Sequence, residues 1–323
     1  MKKLIVILLL LTSCAVTGNV IREFSDSSEV YFCPYDNCRR AYFERLYNAT
    51  TIDCAVYDTN LPEILTLFKN KKARLVVDHE TSNLSLLMSI GAVVDSKFSV
   101  MHNKFCILDN QTVITGSMNP TFRDSSVNDN NLLIFHSKEM AKTYETEFEE
   151  LYSGKFSVKG DKSKQNTFYL NEDTVNVYFC PEDWCINKLM DRINDAKESI
   201  YFMTFSFTHD KLGDLLLKKK KEGLIVKGLM EKSQSSQFSE FKKLNESGID
   251  VLWESSGANM HHKVFIIDRK IVATGSMNPS ANGDTSSDEN LLIIENPSLA
   301  SKFLDEFTRV YLRVLVTGKE KQK

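Results

Sequence analysis

Residues 101–121 read MHNKFCILDNQTVITGSMNPT, and residues 260–280 read MHHKVFIIDRKIVATGSMNPS. Twelve of the 21 aligned positions are identical, at a spacing of 159 residues. The identical positions include polar and ionisable pairs, namely His102/His261, Lys104/Lys263, Asp109/Asp268, Ser117/Ser276 and Asn119/Asn278. Apolar runs recur in many unrelated buried strands, but polar residues that recur in register indicate a true internal repeat.

The repeat extends beyond these segments and indicates a duplicated domain. The pair VYFCPYDNC (30–38) and VYFCPEDWC (177–185) recurs at a spacing of 147 residues. The chain has 323 residues, 42% of them hydrophobic, which suffices for two folded domains. We predict domains at 24–152 and 174–323, joined by a polar, lysine-rich linker at 153–173.

Strand-like and helix-like segments alternate in both copies, ending in amphipathic helices at 138–152 and 297–312. This alternation predicts an α/β fold. We expect two similar α-β-α sandwich domains with mixed sheets, related by a pseudo-twofold axis.

Strand periodicity places the polar residues of each motif on one face. Residues two apart in a strand point the same way, so His102 shares a face with Lys104, and His261 with Lys263. His262 points to the opposite face, so we predict that His261 is the functional histidine of the second copy. Brought together by the twofold axis, the two copies would surround one cavity with two histidines, two lysines and two asparagines.

This set of groups suits phosphodiester chemistry. Two lysines and two amides can stabilise the negative charge of the transition state without a metal. One histidine can attack phosphorus and form a phosphohistidine, while the other protonates the leaving oxygen and later activates water. The need for two histidines on opposite sides of one phosphorus explains the duplication.

The pattern H-x-K-x4-D followed by G-S-x-N, present twice, resembles the HKD motif of the phospholipase D superfamily. The resemblance spans nearly all of the chain after residue 13 and implies a metal-independent phosphodiesterase with one composite site and no cofactor. It implies active-site roles for six residues, namely His102, Lys104, Asn119, His261, Lys263 and Asn278. Asp109, Asp268, Ser117 and Ser276 are expected to support them.

One departure from the family pattern concerns the glutamate that often follows the G-S-x-N segment and orients the motif histidine. The second copy has Glu289 in SDENLLII, whereas the first copy has Asn130 in NDNNLLIF. We expect Glu289 to hold His261 and favour its imidazolium form, and Asn130 to orient His102. On this basis His102 is predicted to be the nucleophile and His261 the acid.

The N-terminus reads MKKLIVILLLLTSC, which is typical of a secretory signal peptide. The residues before Cys14 resemble a bacterial lipobox, which predicts a signal peptide at 1–13 and a lipidated Cys14. An ordinary signal peptide with an incidental Cys14 is the alternative. We therefore expect an exported lipoprotein, anchored at a periplasmic or extracellular membrane face.

If the chain is exported, its remaining cysteines lie in an oxidising compartment. Cys33/Cys38 and Cys180/Cys185 form two C-x4-C pairs, for which local disulfides are expected in an oxidising compartment. A single four-cysteine zinc site that joins both halves is one alternative, and free thiols are the other. Cys54 and Cys106 lie in apolar runs and are expected to be plain core residues.

The substrate is less constrained by the sequence. The resemblance is to the small nuclease and cardiolipin-hydrolase branch, and the segment FSFTHD (205–210) is similar to strands found there. We predict an endonuclease acting on DNA or RNA, with a phospholipase D or cardiolipin hydrolase as the alternative. The net charge of −3 argues against a protein that coats nucleic acid. A non-catalytic module that binds phosphate polymers is a further alternative.

Since the twofold axis is internal, a monomer is expected.

Overall fold

The computed structural model describes residues 22–23, 27–95, 100–157, 166–171 and 173–320. The predicted signal peptide (1–13) and Cys14 lie outside the described residues. The strands up to residue 136 are β1 (Arg22–Glu23), β2 (Ser28–Cys33), β3 (Thr51–Val56), β4 (Lys72–Val77), β5 (Val93–Val94), β6 (Val100–Met101), β7 (Lys104–Leu108), β8 (Thr112–Gly116) and β9 (Asn130–His136). The helices of this half are α1 (Cys38–Asn48), α2 (Pro62–Asn70), α3 (Leu84–Ser89), α4 (Phe122–Ser126) and α5 (Lys138–Tyr152).

The second half repeats this order. Its strands are β10 (Thr167–Leu170), β11 (Asp173–Cys180), β12 (Ser199–Thr204), β13 (Ile225–Glu231), β14 (Asp250–Glu254), β15 (Lys263–Ile267), β16 (Ile271–Gly275) and β17 (Ser287–Glu295). Its helices are α6 (Cys185–Asp195), α7 (Asp210–Lys221), α8 (Phe241–Glu246), α9 (Ala281–Thr285) and α10 (Pro297–Glu320), with a 3₁₀ turn at Lys232–Gln234.

Each half builds a mixed sheet. Over the described residues, the first sheet has the order β2-β9-β8-β7-β3-β4-β5, and the second has the order β1-β10-β11-β17-β16-β15-β12-β13-β14. The hairpins β7–β8 and β15–β16 are antiparallel, whereas β3–β4 and β12–β13 are parallel. The α/β prediction is confirmed.

Three strands lie or pair outside the predicted domains. β1 precedes the first predicted domain and pairs in parallel with β10 of the second sheet. β10 lies inside the segment predicted as a linker and pairs with β11. β6 belongs to the first half, yet it pairs in parallel with Ser287 and Asp288 of β17. The two sheets are therefore joined by main-chain hydrogen bonds beside the first motif.

The two halves share one core. The largest buried cluster combines α5 and α10 with the inner faces of both sheets, as shown by the fully buried Phe105, Tyr144, Phe148, Met203 and Phe303. Two further clusters lie on the outer faces, under α1 and α2 in the first half and under α6 and α7 in the second. Each sheet thus has helices on both faces, and the halves pack against each other through α5 and α10.

The closing helix is longer than the sequence predicts. Apolar periodicity suggested an end at residue 312, but α10 continues to Glu320. Leu315 and Val316 are exposed on this extension, so their burial does not specify it. None of the helices among the described residues combines the length and the hydrophobicity of a membrane-spanning segment.

The structure contains three disulfides among the described residues. Cys33–Cys38 and Cys180–Cys185 close the two C-x4-C segments, each linking the end of a strand to the start of a helix. These pairs leave no thiolates for the alternative zinc site. The expectation that Cys54 and Cys106 are plain core residues is wrong, because they form the third disulfide. They are directly opposite each other on the antiparallel strands β3 and β7, a register that the sequence alone does not reveal.

Candidate active site

The two motifs occupy equivalent places at one edge of each sheet. His102 and His261 come just before β7 and β15, and each G-S-x-N segment follows the next strand. Gly116 has a φ of +131°, and a Cβ there would lie 2.4 Å from the Asn131 carbonyl oxygen. Gly275 has the same geometry against Asn290. These glycines let the turn approach the neighbouring strand closely, which sets the positions of the serine and asparagine that follow.

Each motif histidine is oriented by a residue of the other half. His102 Nδ1 lies 2.8 Å from Glu289 Oε2, and His261 Nδ1 lies 2.9 Å from Asn130 Oδ1. The expectation that Glu289 holds His261 and Asn130 holds His102 is therefore wrong. Glu289 and Asn130 are equivalent by sequence, but the sequence offset does not show that the twofold axis exchanges their targets.

Main-chain hydrogen bonds explain the exchange. The His102 N–H donates to the Asp288 carbonyl oxygen at 2.9 Å, and the His261 N–H donates to the Asp129 carbonyl oxygen at 2.8 Å. Asp288 and Asp129 immediately precede Glu289 and Asn130. Each histidine segment therefore lies along the start of the opposite copy's strand, which brings both motifs to a single seam.

The two lysines are buried beside the histidines. Lys104 Nζ donates to the His102 carbonyl oxygen at 2.7 Å, and Lys263 Nζ donates to the His261 carbonyl oxygen at 2.9 Å. Burial lowers the pKa of Lys104 to about 8, and burial together with the Lys104 charge lowers the pKa of Lys263 well below its usual value. The site therefore holds two closely placed amines whose charge an anion would stabilise.

The histidines respond to the same environment. Burial, followed by the charges of Lys104 and Lys263, lowers the pKa of His102 well below its usual value. Burial and Lys263 lower the pKa of His261 in the same way. Burial also raises the pKa of Glu289 to about 8, although the lysine charges oppose this shift. Since each lysine acts on histidines of both halves, the four groups form one site.

Two aromatic rings flank the histidines, and the sequence reasoning missed them. The Tyr57 ring centroid is 5.0 Å from that of His102, and the Phe205 ring centroid is 4.6 Å from that of His261. Lys104 Nζ lies 5.3 Å from the Tyr57 ring centroid, and Lys263 Nζ lies 5.1 Å from that of Phe205. Both residues directly follow the strands β3 and β12, so their common position in the repeat is the signal that could have found them.

Asp124 is a third residue of the site that the sequence reasoning missed. It lies on α4, accepts hydrogen bonds from the Asn119 side chain at 2.7 Å and from Asn128 at 2.7 Å, and its Oδ2 is 3.5 Å from His261 Nδ1. The residue 159 positions later is Gly283, so the repeat gives no hint of it. Asp124 supplies near His261 the carboxylate that Asn130 lacks.

The supporting residues hold the turns. Ser117 Oγ donates to Asn130 Oδ1 at 3.0 Å, and Ser276 Oγ accepts from the Asn290 N–H at 2.8 Å. Asp109 accepts from the Thr51 N–H and Asp268 from the Ser199 N–H. Each aspartate thus links its hairpin turn to the adjacent strand of the sheet, β3 or β12. The side-chain oxygens of Asn119 and Asn278 are buried, without a hydrogen-bond partner in the described chain.

His262, just before β15, points away from the site, as its spacing from Lys263 predicts. It is fully buried, and its ring nitrogens contact Asn131 at 3.1 Å and Glu306 at 3.1 Å. It therefore belongs to the polar network between the halves.

Metal-binding groups cluster elsewhere. Among the described residues, two sets of acidic or imidazole groups lie close together, namely Asp78/His79/Asp95 and Glu147/Glu150/Glu182. Neither set includes a motif histidine or lysine.

Comparison with known families agrees with this arrangement. A family model described as "Cardiolipin synthase, PLD-like domain" matches residues 22–152 and 189–311, more than half of the chain. The chain belongs to the phospholipase D-like family. Its relatives include phospholipases D and cardiolipin hydrolases, which are phosphodiester hydrolases, and we conclude that it is a phosphodiesterase of this superfamily.

Individual relatives match parts of the chain. A phospholipase D from Rickettsia bellii is 32% identical over 143 residues, which are 44% of this chain and 71% of the relative. A mitochondrial cardiolipin hydrolase from Chlamydomonas reinhardtii is 27% identical over 39% of this chain and 57% of its own length. Among solved structures, a phosphatidylserine synthase from Haemophilus influenzae has a TM-score of 0.63 at 12% identity, covering 88% of this chain and 86% of that chain. The last match shows that the two-domain fold is shared.

Proposed function

We propose that the protein hydrolyses phosphodiesters through a phosphohistidine on His102. The observation that carries this proposal is the reciprocal contact of each histidine with the opposite half, at 2.8 Å and 2.9 Å. Because Nδ1 of His102 donates to Glu289, the lone pair of the opposite nitrogen, Nε2, is available to attack phosphorus. The charge of Glu289 makes that nitrogen a better nucleophile.

His261 is assigned the acid and base roles. Its Nδ1–H donates to the neutral Asn130, and the Asp124 carboxylate at 3.5 Å favours the imidazolium form. An anionic phosphate between Lys104 and Lys263 would favour that form further. The imidazolium protonates the leaving oxygen, and the resulting neutral imidazole removes a proton from the water that releases the phosphohistidine.

We further propose that the preferred substrate is single-stranded nucleic acid. The rings of Tyr57 and Phe205 lie on either side of the two histidines. Nucleobases stack on such rings, whereas the lysines recognise only the phosphate, so little sequence preference is expected.

A phospholipid is the second candidate, supported by the relatives named phospholipase D and cardiolipin hydrolase. The proposed lipid anchor at Cys14 would hold such an enzyme beside its substrate. The three disulfides support the proposal that the chain is exported, because disulfides persist in oxidising compartments.

A parallel assay tests these proposals. Protein lacking residues 1–13 would be incubated in EDTA with bis(p-nitrophenyl) phosphate, single-stranded DNA, RNA, phosphatidylcholine and cardiolipin. We expect cleavage of the generic diester and of nucleic acid, which His102→Ala and His261→Ala abolish. His136→Ala serves as a matched control, because His136 contacts Thr112 and Glu29 outside the site. Cleavage of lipids alone would overturn the substrate proposal, and no cleavage of any diester would indicate a binding module.

A further inference from the structure

The first half contains a buried carboxylate that arginines neutralise. Asp129 is fully buried and accepts hydrogen bonds from Arg309 at 2.7 Å and from Arg313. Arg309 also pairs with Glu306 at 2.7 Å, and its guanidinium lies 4.2 Å from the ring centroid of Tyr35. Two arginines of α10 thus balance the charges of Asp129 and Glu306, and the Asp129 carbonyl oxygen accepts the His261 N–H.

The equivalent place in the second half lacks these cations. At the spacing of 159 residues, Asp129 and Glu306 correspond to Asp288 and Glu147, whereas Arg309 and Arg313 correspond to Glu150 and Gly154. At the spacing of 147 residues, Tyr35 corresponds to Glu182. One half thus has a charge-balanced network of acids and arginines. The equivalent positions of the repeat hold four acids, Glu147, Glu150, Glu182 and Asp288.

These acids converge. Carboxylate oxygens of Glu147, Glu150 and Glu182 lie within 4.8 Å of one another. Glu147 and Glu150 are three residues apart on α5, so they share a helix face. Glu147 and Glu182 are buried, and burial with the charges of Glu182 and Asp288 raises the pKa of Glu147 well above its usual value.

The Asp288 carboxylate is a separate sign of a missing cation. It is 4% exposed, and its Oδ1 accepts from the Ser157 N–H at 2.8 Å. Its Oδ2 is buried with no hydrogen-bond partner in the described chain. Among the described residues, Lys155 Nζ lies 4.0 Å from Glu150 and is exposed. Burial, opposed by the Ser157 N–H and reinforced by the charge of Glu182, raises the pKa of Asp288 to about 8, so a carboxylate here takes up a proton unless a cation compensates its charge.

We propose that Glu147, Glu150 and Glu182 bind one divalent cation of the calcium type. The nearby Asp288 carboxylate would not be a ligand, but its negative charge would favour the cation. All the donors are oxygens, which hard cations prefer, and Ca²⁺ accepts irregular sets completed by water. The cation takes the place that Arg309 and Arg313 occupy in the other half.

The position of this site defines its effect. The Asp288 carbonyl oxygen accepts the His102 N–H at 2.9 Å, and Glu289 is the next residue. A cation beside Asp288 would therefore stabilise the segment that orients His102. It would not contact the phosphate, so the chemistry itself remains independent of metal.

Calorimetric titration of the EDTA-treated protein with CaCl₂, together with thermal unfolding, tests the proposal. We expect one binding event and a rise in Tm of about 5 °C when Ca²⁺ exceeds its Kd about 100-fold. Glu150→Arg, which restores the arginine of the other half, should abolish binding and raise Tm in EDTA. Glu150→Gln should weaken Ca²⁺ binding at least about tenfold.

Asp305→Asn is the matched control, because it removes an exposed carboxylate of α10 outside the cluster. It should bind Ca²⁺ as the wild type does. A folded wild type that shows neither heat of binding nor a Tm shift would overturn the proposal, as would Ca²⁺ binding that survives in Glu150→Arg. Neither readout requires phosphodiesterase activity, so this test fails or succeeds separately from the proposed function.

Discussion

Replacement of Glu289 by glutamine tests the exchange of histidine partners most directly. Glu289 is buried, and its carboxylate accepts the Nδ1–H of His102 at 2.8 Å. A glutamine oxygen can accept the same hydrogen bond, as Asn130 does for His261. The substitution therefore keeps the orientation of the ring and removes only the charge.

The size of the effect follows from that difference. A hydrogen bond to a charged group contributes about 1.5–3 kcal/mol, against about 0.5–1.5 kcal/mol for a neutral one. Loss of about 1–2 kcal/mol corresponds to a rate about 5- to 30-fold lower for formation of the phosphohistidine. Glu289→Leu removes the acceptor altogether and frees the ring to change tautomer, so we expect a loss of at least about 10²-fold.

Rapid-quench measurements of a single turnover, with the phosphoenzyme trapped at alkaline pH, separate its formation from its hydrolysis. Glu289→Gln should slow formation and leave hydrolysis nearly unchanged. Glu295→Gln, at the exposed end of the same strand, should change neither step. If Glu289→Gln slows hydrolysis instead, Glu289 acts on His261 and the reasoning is wrong.

Three further predictions concern other parts of the molecule. With bis(p-nitrophenyl) phosphate, whose leaving group departs without a proton, His261→Asn should still form the covalent intermediate but lower the rate of its hydrolysis by about 10²–10⁴-fold, so that p-nitrophenyl phosphate accumulates on the protein and can be mapped by mass spectrometry; attachment at position 102 is expected, and its absence would contradict the assignment. The pH profile of kcat/KM should be a bell with its maximum below pH 8, because activity rises as Glu289 ionises (pKa about 8) and falls as His261, whose pKa burial lowers, and Lys104 (pKa about 8) lose their protons; a flat profile between pH 6 and 10, or a maximum above pH 9, would refute this. The double substitution of Cys54 and Cys106 by alanine opens a loop that spans 52 residues, and it should lower the free energy of unfolding by about 4 kcal/mol in urea denaturation without reductant. An unchanged midpoint would show that this disulfide does not constrain the unfolded chain.

The repeat allowed much of the fold and the site to be predicted. Two motifs in register predicted the duplicated α/β architecture. Period-two spacing separated His261 from His262, because one face of the strand points to the seam and the other into the core. These predictions succeeded because they depend on local geometry.

The predictions that failed depend on how distant segments meet. Glu289 and Asn130 were assigned to the wrong histidines, since only the placement of β6 against β17 shows the exchange. The Cys54–Cys106 disulfide requires the register of β3 against β7. Asp124 has no counterpart in the repeat, so comparison of the copies could not reveal it.

The reciprocal hold on His102 and His261 has a consequence for inheritance. A gene that recombined one half with that of a distant relative would keep two complete motifs and could still fold. Each imidazole would nevertheless be oriented by a residue of a half with a different ancestry, at position 289 for His102 and at position 130 for His261. The residues that orient the histidines are therefore expected to evolve together with the opposite half. A hybrid should regain turnover when its residue at position 289 or 130 is changed back to the one that the opposite half originally faced.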